Sequence, residues 1–171
     1  MVKKYKYKDI EPSIHPEANV CSEAIVIGDV KIEEGVSVWP GAVIRGDFSP
    51  VEIGKQSVIE DNTVIHGAKI GPQTIIGHGA VLNANPIVRD KVIVGINATI
   101  NREATIGRRS IVASGAVIPE KRVIPSESFV RGVPAEISPL EDSSIDIEEV
   151  FDRYSVEGYS ELVLQYGDLF R

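Results

Sequence analysis

The fold is decided by residues 70–118, which read IGPQTIIGHGAVLNANPIVRDKVIVGINATINREATIGRRSIVASGAVI. Every sixth residue of this stretch, from Ile70 to Ile118, is aliphatic. Small or compact residues such as Thr74 and Ala80 stand four positions after most of them. An α-helix would need apolar residues at spacings of three and four, which this stretch lacks. The period of six instead indicates a coil with three flat sides, in which each side holds one hexapeptide.

The same register extends toward the N-terminus, from Val20 to Ile44 and again from Ile53 to Ile65. Three extra residues separate these two runs, and one residue is missing before Ile70. Three hexapeptides complete one coil, so the repeats predict about five coils stacked about 4.8 Å apart. The predicted fold class is all-β, a left-handed parallel β-helix of hexapeptide repeats followed by a C-terminal α-helix.

The sequence divides into four segments. Residues 1–19 form an N-terminal segment, residues 20–124 the β-helix, and residues 125–141 a proline-containing exit loop. Residues 142–171 are rich in Glu, Leu and Val and predict a helical segment packed on the β-helix. We expect this segment to form two helices with a break near Ser155 to Gly158.

Composition excludes some partners. The formal charge is −7, with 25 acidic and 18 basic residues, which argues against non-specific binding of nucleic acid. The lysines at positions 3, 4, 6 and 8 could meet an anionic partner, but a terminal strand or solvated tail is the preferred interpretation. Cys21 is the single cysteine, and no secretory leader or long apolar span is found. We therefore expect a soluble cytoplasmic protein that does not bind membranes.

Polar residues follow the inward aliphatic residues on two sides of the predicted coil. One column contains four residues, each one coil from the next and outside the core: Arg45, His66, Asn83 and Asn101. On a second side, Glu60 stacks over Gly77 and Asp61 over His78. His66 and His78 therefore lie on different sides of one subunit, and they could meet only across a subunit boundary.

Two histidines at a subunit boundary, with a carboxylate nearby, indicate a metal site. Catalytic zinc usually takes three protein ligands and leaves one position for water. The alternative is that His66 and His78 only form hydrogen bonds across the interface. His15, which lies in an irregular stretch, is expected to be a surface residue.

Four stretches occur in an order that resembles a known family: SVWPGAVIRGD (37–47), EDNTVIH (60–66), IGHGAVL (76–82) and GVPA (132–135). Together they are similar to the γ-class carbonic anhydrases, a hexapeptide-repeat family that includes ferripyochelin-binding-protein-like members. The resemblance implies a homotrimer in which three histidines hold zinc, iron or cobalt at the subunit interfaces. It also implies reversible hydration of carbon dioxide to bicarbonate by a metal-bound hydroxide.

The resemblance assigns roles to individual residues of this chain. His66 and His78 match two of the metal ligands. The third ligand position, five residues after His78, holds Asn83. A neutral amide is a weaker zinc ligand than imidazole, so we expect a lower metal affinity. Three further residues are assigned to the subunit interface: Arg45, Asp47 and Asp61.

Two more positions depart from or extend the family pattern. Val58 and Glu60 stand where the family favours polar residues, and Val58 cannot orient bicarbonate or carry a proton. Glu60 is predicted as a catalytic residue that acts near His66, as a ligand or a proton acceptor. A solvated or salt-bridged Glu60 is the alternative. Tyr159 is also predicted as catalytic, because the family often places a tyrosine near the site from its C-terminal helix.

Three functions stay open at this point. The first is a carbonic-anhydrase-type lyase with a weakened metal site. The second is a non-catalytic homotrimer that serves as a scaffold or binding protein, which Asn83 and Val58 favour. The third is a coenzyme-A-dependent acyltransferase, because the same solenoid serves such enzymes. Those enzymes usually have a catalytic histidine on a long loop, and the insertion near Phe48 to Val51 contains none, so this function ranks last.

Overall fold

A computed structural model describes residues 2–153, 156–167, 169 and 170. The strands of these residues are, in chain order, β1 (Lys3–Tyr5), β2 (Ser13–Ile14), β3 (Asn19–Val20), β4 (Ile25–Ile32), β5 (Ser37–Val38), β6 (Val43–Ile53), β7 (Val58–Ile59), β8 (Val64–His66), β9 (Ala68–Ile70), β10 (Ile75–Ile76), β11 (Val81–Asn83), β12 (Ile87–Val88), β13 (Ile93–Val94), β14 (Thr99–Ile100), β15 (Thr105–Ile106), β16 (Ile111–Val112), β17 (Val117–Ile118), β18 (Val123–Ile124), β19 (Ser128–Arg131) and β20 (Glu136–Pro139). A 3-10 helix follows (Leu140–Asp142), and then α1 (Ile147–Arg153) and α2 (Val156–Gln165).

The strands stack in parallel on three faces of a solenoid, because each strand pairs with the strand one coil away. Face 1 contains the first halves of β4 and β6, then β8, β11, β14 and β17. Face 2 contains β2, the second halves of β4 and β6, then β9, β12, β15 and β18. Face 3 contains β3, β5, β7, β10, β13, β16 and β19. This arrangement confirms the parallel β-helix that the six-residue period predicts.

The inward aliphatic residues form one continuous core. Every residue at the six-residue positions from Ile70 to Ile118 is buried, and alanines such as Ala80 and Ala98 fill the space between them. Burying one side chain of the size of Ile or Leu contributes about 1.5–3 kcal/mol, so a column of such residues stabilises each coil against its neighbours.

The solenoid extends past both predicted ends. The predicted exit loop, residues 125–141, contains β19, which continues face 3, and β20, which pairs with β19 in antiparallel orientation. At the other end, β1 and β2 lie within residues 1–19 and pair with β4. The structure therefore has about seven coils where about five were predicted. β2 and β19 continue the six-residue count, with Ile14 six residues before Val20 and the buried Val130 twelve residues after Ile118. β1 and β20 lie outside the count, and pairing with the adjacent strands places them.

The C-terminal helices cover the outer side of face 3. Two buried clusters join them to this face: Trp39, Val58, Ile75 and Val163, and then Ile111, Leu140 and Ile147. Two helices are present as predicted, since α1 ends at Arg153 and α2 begins at Val156. Residues 156–158 of the predicted break are helical, and Ser155 lies outside the described residues. A glycine inside a helix costs about 1 kcal/mol, and the burial of Val163 on the same helix offsets that cost. Neither described helix is long and apolar enough to cross a membrane.

Glycines at two corners meet different requirements. A Cβ atom added at Gly107 would lie 2.3 Å from the backbone nitrogen of Ser126 and 2.4 Å from the carbonyl carbon of Pro125. Gly115 has a φ of +70°, and a Cβ atom there would meet nothing within 4 Å. Gly107 is therefore required by the close approach of the next coil, and Gly115 only by its left-handed backbone.

These two glycines provide a matched test of coil packing. We expect Gly107→Ala to lower the free energy of unfolding by about 3 kcal/mol, because backbone atoms of the next coil must move. Gly115→Ala should lower it by about 1 kcal/mol, the cost of a left-handed alanine. Urea denaturation of the two variants measures the difference, and equal losses would contradict the close packing at Gly107.

Candidate functional site

Face 1 brings three of the predicted site residues into one column. In the parallel register, Arg45 of β6 pairs with His66 of β8, and His66 pairs with Asn83 of β11. Their neighbours Ile65 and Leu82 point into the core, so these three side chains point outward. The column predicted from the six-residue count is present.

Both ring nitrogens of His66 have polar neighbours. Nε2 lies 2.7 Å from Oδ1 of Asp47, and Nδ1 lies 3.3 Å from Oδ1 of Asn83. Nη2 of Arg45 also lies 3.3 Å from Nδ1, while Nε of Arg45 is 3.3 Å from the second carboxylate oxygen of Asp47. Arg45 and Asp47, which the family resemblance assigns to the subunit interface, therefore pair with each other and with His66 in the single chain.

The surroundings of Asp47 favour its charged form. Burial is the largest single influence and acts to raise the pKa of the carboxyl group. The Phe48 backbone N–H, the hydrogen bond with His66 and the charge of Arg45 together outweigh burial, so the pKa of Asp47 lies below its usual value. Asp47 therefore supplies a negative charge beside His66 even in mildly acidic solution.

His78 occupies the corner between faces 3 and 1, where two carboxylates hold it. Nδ1 lies 2.9 Å from Oδ2 of Asp61, and Nε2 lies 3.3 Å from Oε2 of Glu60. The same Glu60 oxygen accepts a hydrogen bond from the backbone N–H of His78 at 2.9 Å. The predicted placement of Glu60 near His66 is therefore wrong. Glu60 follows β7 on face 3 and pairs with the coil that contains His78.

Glu60 is buried, with a side chain that is 9% exposed. Burial raises the pKa of this carboxyl group, although the nearby His78 and its backbone N–H act in the opposite direction. The hydroxyl of Tyr159 donates a hydrogen bond to the other carboxylate oxygen, Oε1. The structure thus brings together the two residues predicted as catalytic, and it places both beside His78.

Sequence reasoning missed two aromatic residues near these groups. Phe48 is 82% exposed and its ring lies edge-on to His66, with ring centroids 6.0 Å apart. Trp39 packs edge-on against Tyr159 at 5.5 Å. The position of Phe48, directly after Asp47 in the only insertion between regular coils, was the signal that could have identified it.

The donor atoms on face 1 fit part of a metal site. No three His, Cys, Asp or Glu side chains among the described residues converge to hold a metal ion. Nδ1 of His66 and Oδ1 of Asn83 are 3.3 Å apart, however. Two donors have about this separation when they share a tetrahedral metal and each lies about 2.0–2.1 Å from it. Arg45 opposes a cation there, because its Nη2 lies 3.3 Å from the same Nδ1.

Comparison with known proteins agrees with this geometry. Residues 50–84 match the bacterial transferase hexapeptide family (six repeats). Gamma carbonic anhydrase 1 of Arabidopsis thaliana mitochondria is 40% identical over 103 residues, which are 54% of this chain and 37% of that protein. A probable carbonic anhydrase of Methanocaldococcus jannaschii is 44% identical over 92 residues, or 51% of this chain and 57% of that protein. The chain is similar to hexapeptide-repeat proteins and to the gamma carbonic anhydrases.

The resemblance read from the sequence motifs is thereby confirmed, and the fold is also found among solved structures. The crystal structure of a hexapeptide transferase family protein from Anaplasma phagocytophilum superposes with a TM-score of 0.86 at 28% identity, covering 96% of this chain and 98% of that one. The matches to the two carbonic anhydrases span 37% and 57% of their lengths, so their activity is not transferred to this chain by similarity alone.

The lowered pKa of Asp47 predicts a pH-dependent stability. Because the folded pKa lies below the ordinary value of 3.8, the charged carboxylate stabilises the folded chain above that value. This stability is lost as the pH falls through the folded pKa. We therefore expect Asp47→Asn to be less stable than the parent near pH 7 and equally stable in strong acid.

Urea denaturation across a pH series measures this effect. Asp90→Asn is the matched control, because it breaks an ion pair with Arg108 whose side chain is largely exposed, and such pairs contribute little. An Asp47→Asn variant whose deficit is the same at every pH would contradict the electrostatic explanation.

Proposed function

We propose that the protein is a homotrimer that holds a divalent metal between subunits and catalyses reversible hydration of carbon dioxide through a weakened metal site. The observation that supports this proposal most directly is the 3.3 Å separation of His66 Nδ1 and Asn83 Oδ1 on face 1. His78 stands at the other end of the same face. The similarity to the gamma carbonic anhydrases gives independent support.

The outer side of face 1 favours association with further copies of the chain. Face 3 is covered by α1 and α2, and the first coils of face 2 expose Lys31, Glu52 and Lys69. Face 1 instead presents a row of mainly β-branched aliphatic residues: Ile25, Val43, Val64, Val81, Thr99 and Val117. Val64 in this row is 41% exposed. Such a row is stabilised when another apolar surface covers it.

Threefold packing of face 1 would also complete the candidate site. His66 and His78 lie at opposite edges of this face, so a closed ring brings one edge of each subunit against the other edge of the next. His66 and Asn83 of one subunit would then meet His78 of its neighbour. Zinc, iron and cobalt all accept two imidazoles and an oxygen donor.

Each residue has a distinct part in the proposed reaction. A divalent metal bound to His66, Asn83 and His78 would supply the Lewis acidity that lowers the pKa of water toward neutrality. Asp61 would orient the His78 ring through Nδ1, so that Nε2, which lies 3.3 Å from Oε2 of Glu60, is the nitrogen that would be offered to a metal. Glu60 would accept a proton, because burial raises the pKa of its carboxyl group above the ordinary value.

The identity of residue 83 should control metal content. We expect Asn83→His to bind zinc at least about tenfold more tightly than the parent, because imidazole replaces a neutral amide. Carbon dioxide hydration should rise in parallel. Plasma mass spectrometry of tag-free protein and stopped-flow hydration assays measure both quantities.

Asn101→His is the matched control for this experiment. Asn101 lies one coil further along the same column, and its amide donates to the carbonyl oxygen of Ile118 instead of approaching His66. This variant adds a histidine to the same face and should leave the metal content unchanged. Equal uptake of metal by both variants, or by neither, would contradict a site built on His66 and residue 83.

Mixed trimers test whether the site is shared between subunits. His66→Ala and His78→Ala should each lose metal. When the two variants are unfolded and refolded together, about a quarter of the interfaces combine an intact His66 with an intact His78 and should regain metal. Light scattering of each protein checks for the trimer mass. Mixtures that regain nothing would mean that the site, if present, is not shared in this way.

A non-catalytic homotrimer is the second candidate function. Both ring nitrogens of His66 and both of His78 already face oxygen atoms of their own chain, which favours a purely structural role for these histidines.

An acyltransferase ranks third. The similar Anaplasma phagocytophilum protein belongs by its name to a transferase family, but the insertion at residues 48–51 has no histidine. The cytoplasmic location and the lack of nucleic-acid and membrane partners stay predictions.

A further inference from the structure

We infer that Tyr159 is a positioning residue that acts on the candidate site through Glu60, so that docking of α2 on face 3 is coupled to the geometry of His78. The part of this inference that concerns metal affinity rests on the proposed function. The coupling between Tyr159, Glu60 and His78 does not.

One carboxylate oxygen of Glu60 bonds to α2, and the other contacts His78 of the candidate site. Oε1 accepts the hydrogen bond from the Tyr159 hydroxyl. Oε2 accepts the backbone N–H of His78 at 2.9 Å and lies 3.3 Å from Nε2 of the same residue. Because the carboxylate is buried, water offers few substitutes for these partners. A change in the position of the Tyr159 hydroxyl is therefore transmitted to both contacts with His78.

Docking of the helix determines where that hydroxyl lies. The Tyr159 ring packs edge-on against Trp39 at an interplanar angle of 74°. It adjoins the buried cluster that contains Val58, Ile75 and Val163. Val163 is four residues after Tyr159, so the two side chains share one face of α2 and dock together. The position of the hydroxyl thus reports whether α2 is seated on face 3.

This arrangement predicts a reciprocal effect. Removing a group that orients a metal-binding histidine typically lowers metal affinity about 10–100-fold. If packing of α2 on face 3 strengthens metal binding through Glu60, then metal binding must stabilise the packed position of α2 by the same free energy. Trp39 is the single tryptophan and lies at the contact, so its fluorescence reports the seating of α2.

The test begins with metal-free protein. Tyr159→Phe removes the hydroxyl and keeps the ring. Glu60→Gln replaces the carboxylate that accepts the Tyr159 hydrogen bond with an amide. The double variant completes a double-mutant cycle. Tyr166→Phe is the control, since Tyr166 also packs edge-on against Trp39, at 6.2 Å, and is 51% exposed. We expect the unfolding free energies of Tyr159→Phe and Glu60→Gln to be non-additive. The NMR resonances of the His78 ring should shift in Tyr159→Phe and stay unchanged in Tyr166→Phe.

Zinc titration then tests the metal part, by calorimetry and by Trp39 fluorescence. Tyr159→Phe should bind zinc about tenfold more weakly than the parent and lose the fluorescence response, while Tyr166→Phe should keep both. Additive stabilities in the cycle, or a Tyr159→Phe variant that behaves as Tyr166→Phe does, would overturn the inference. A parent protein that takes up no zinc would overturn the proposed function instead, and the metal-free cycle alone would then decide the role of Tyr159.

Discussion

Parallel pairing between adjacent coils is the constraint on which every other feature of this protein depends. The pairing fixes which residues become neighbours, because a residue always meets the one that follows it by about one coil. His66 and Asn83 are 17 residues apart in sequence and 3.3 Å apart in space for this reason. The same register places Arg45 beside His66 and aligns the coil of Glu60 with that of His78. Backbone pairing therefore determines which side chains meet at the candidate site.

The six-residue repeat accounts for most of what the sequence predicted, and the errors lie at the ends of the repeat and in the directions of long side chains. A strict six-residue period identified the solenoid and the column of Arg45, His66 and Asn83, because inward and outward positions follow directly from the count. The same period continues through Ile124 and Val130, so β19 follows from the count although its segment was assigned to the exit loop. β20 pairs with β19 in antiparallel orientation and lies outside the period. The count also could not give the direction of a long side chain. Glu60 was therefore assigned to the wrong histidine, although its backbone position was counted correctly.

Because of coil pairing, the residues that stabilise the fold are largely different from those that carry chemistry on its surface. Asn83 and His78 are exposed and point away from the core, so a change of side chain there leaves the buried aliphatic columns intact. Such a solenoid can therefore exchange an outward side chain for one of different chemistry without losing its architecture. Glu60 is the exception, because it is buried between face 3 and α2. It links surface chemistry to the packing of the C-terminal segment more tightly than the other site residues do.

The covering of face 3 by the last helices has a consequence for synthesis. Domains begin to fold from the N-terminus as the chain emerges, at about 5–20 residues per second. The coils have neighbours as soon as they are made, whereas α1 and α2 leave the ribosome after all of the coils. For several seconds the nascent solenoid therefore exposes Trp39, Val58, Ile75 and Ile111 to water, although all of them are buried in the finished chain. A ribosome that stalls before residue 147 would present this apolar surface to chaperones or to other nascent copies.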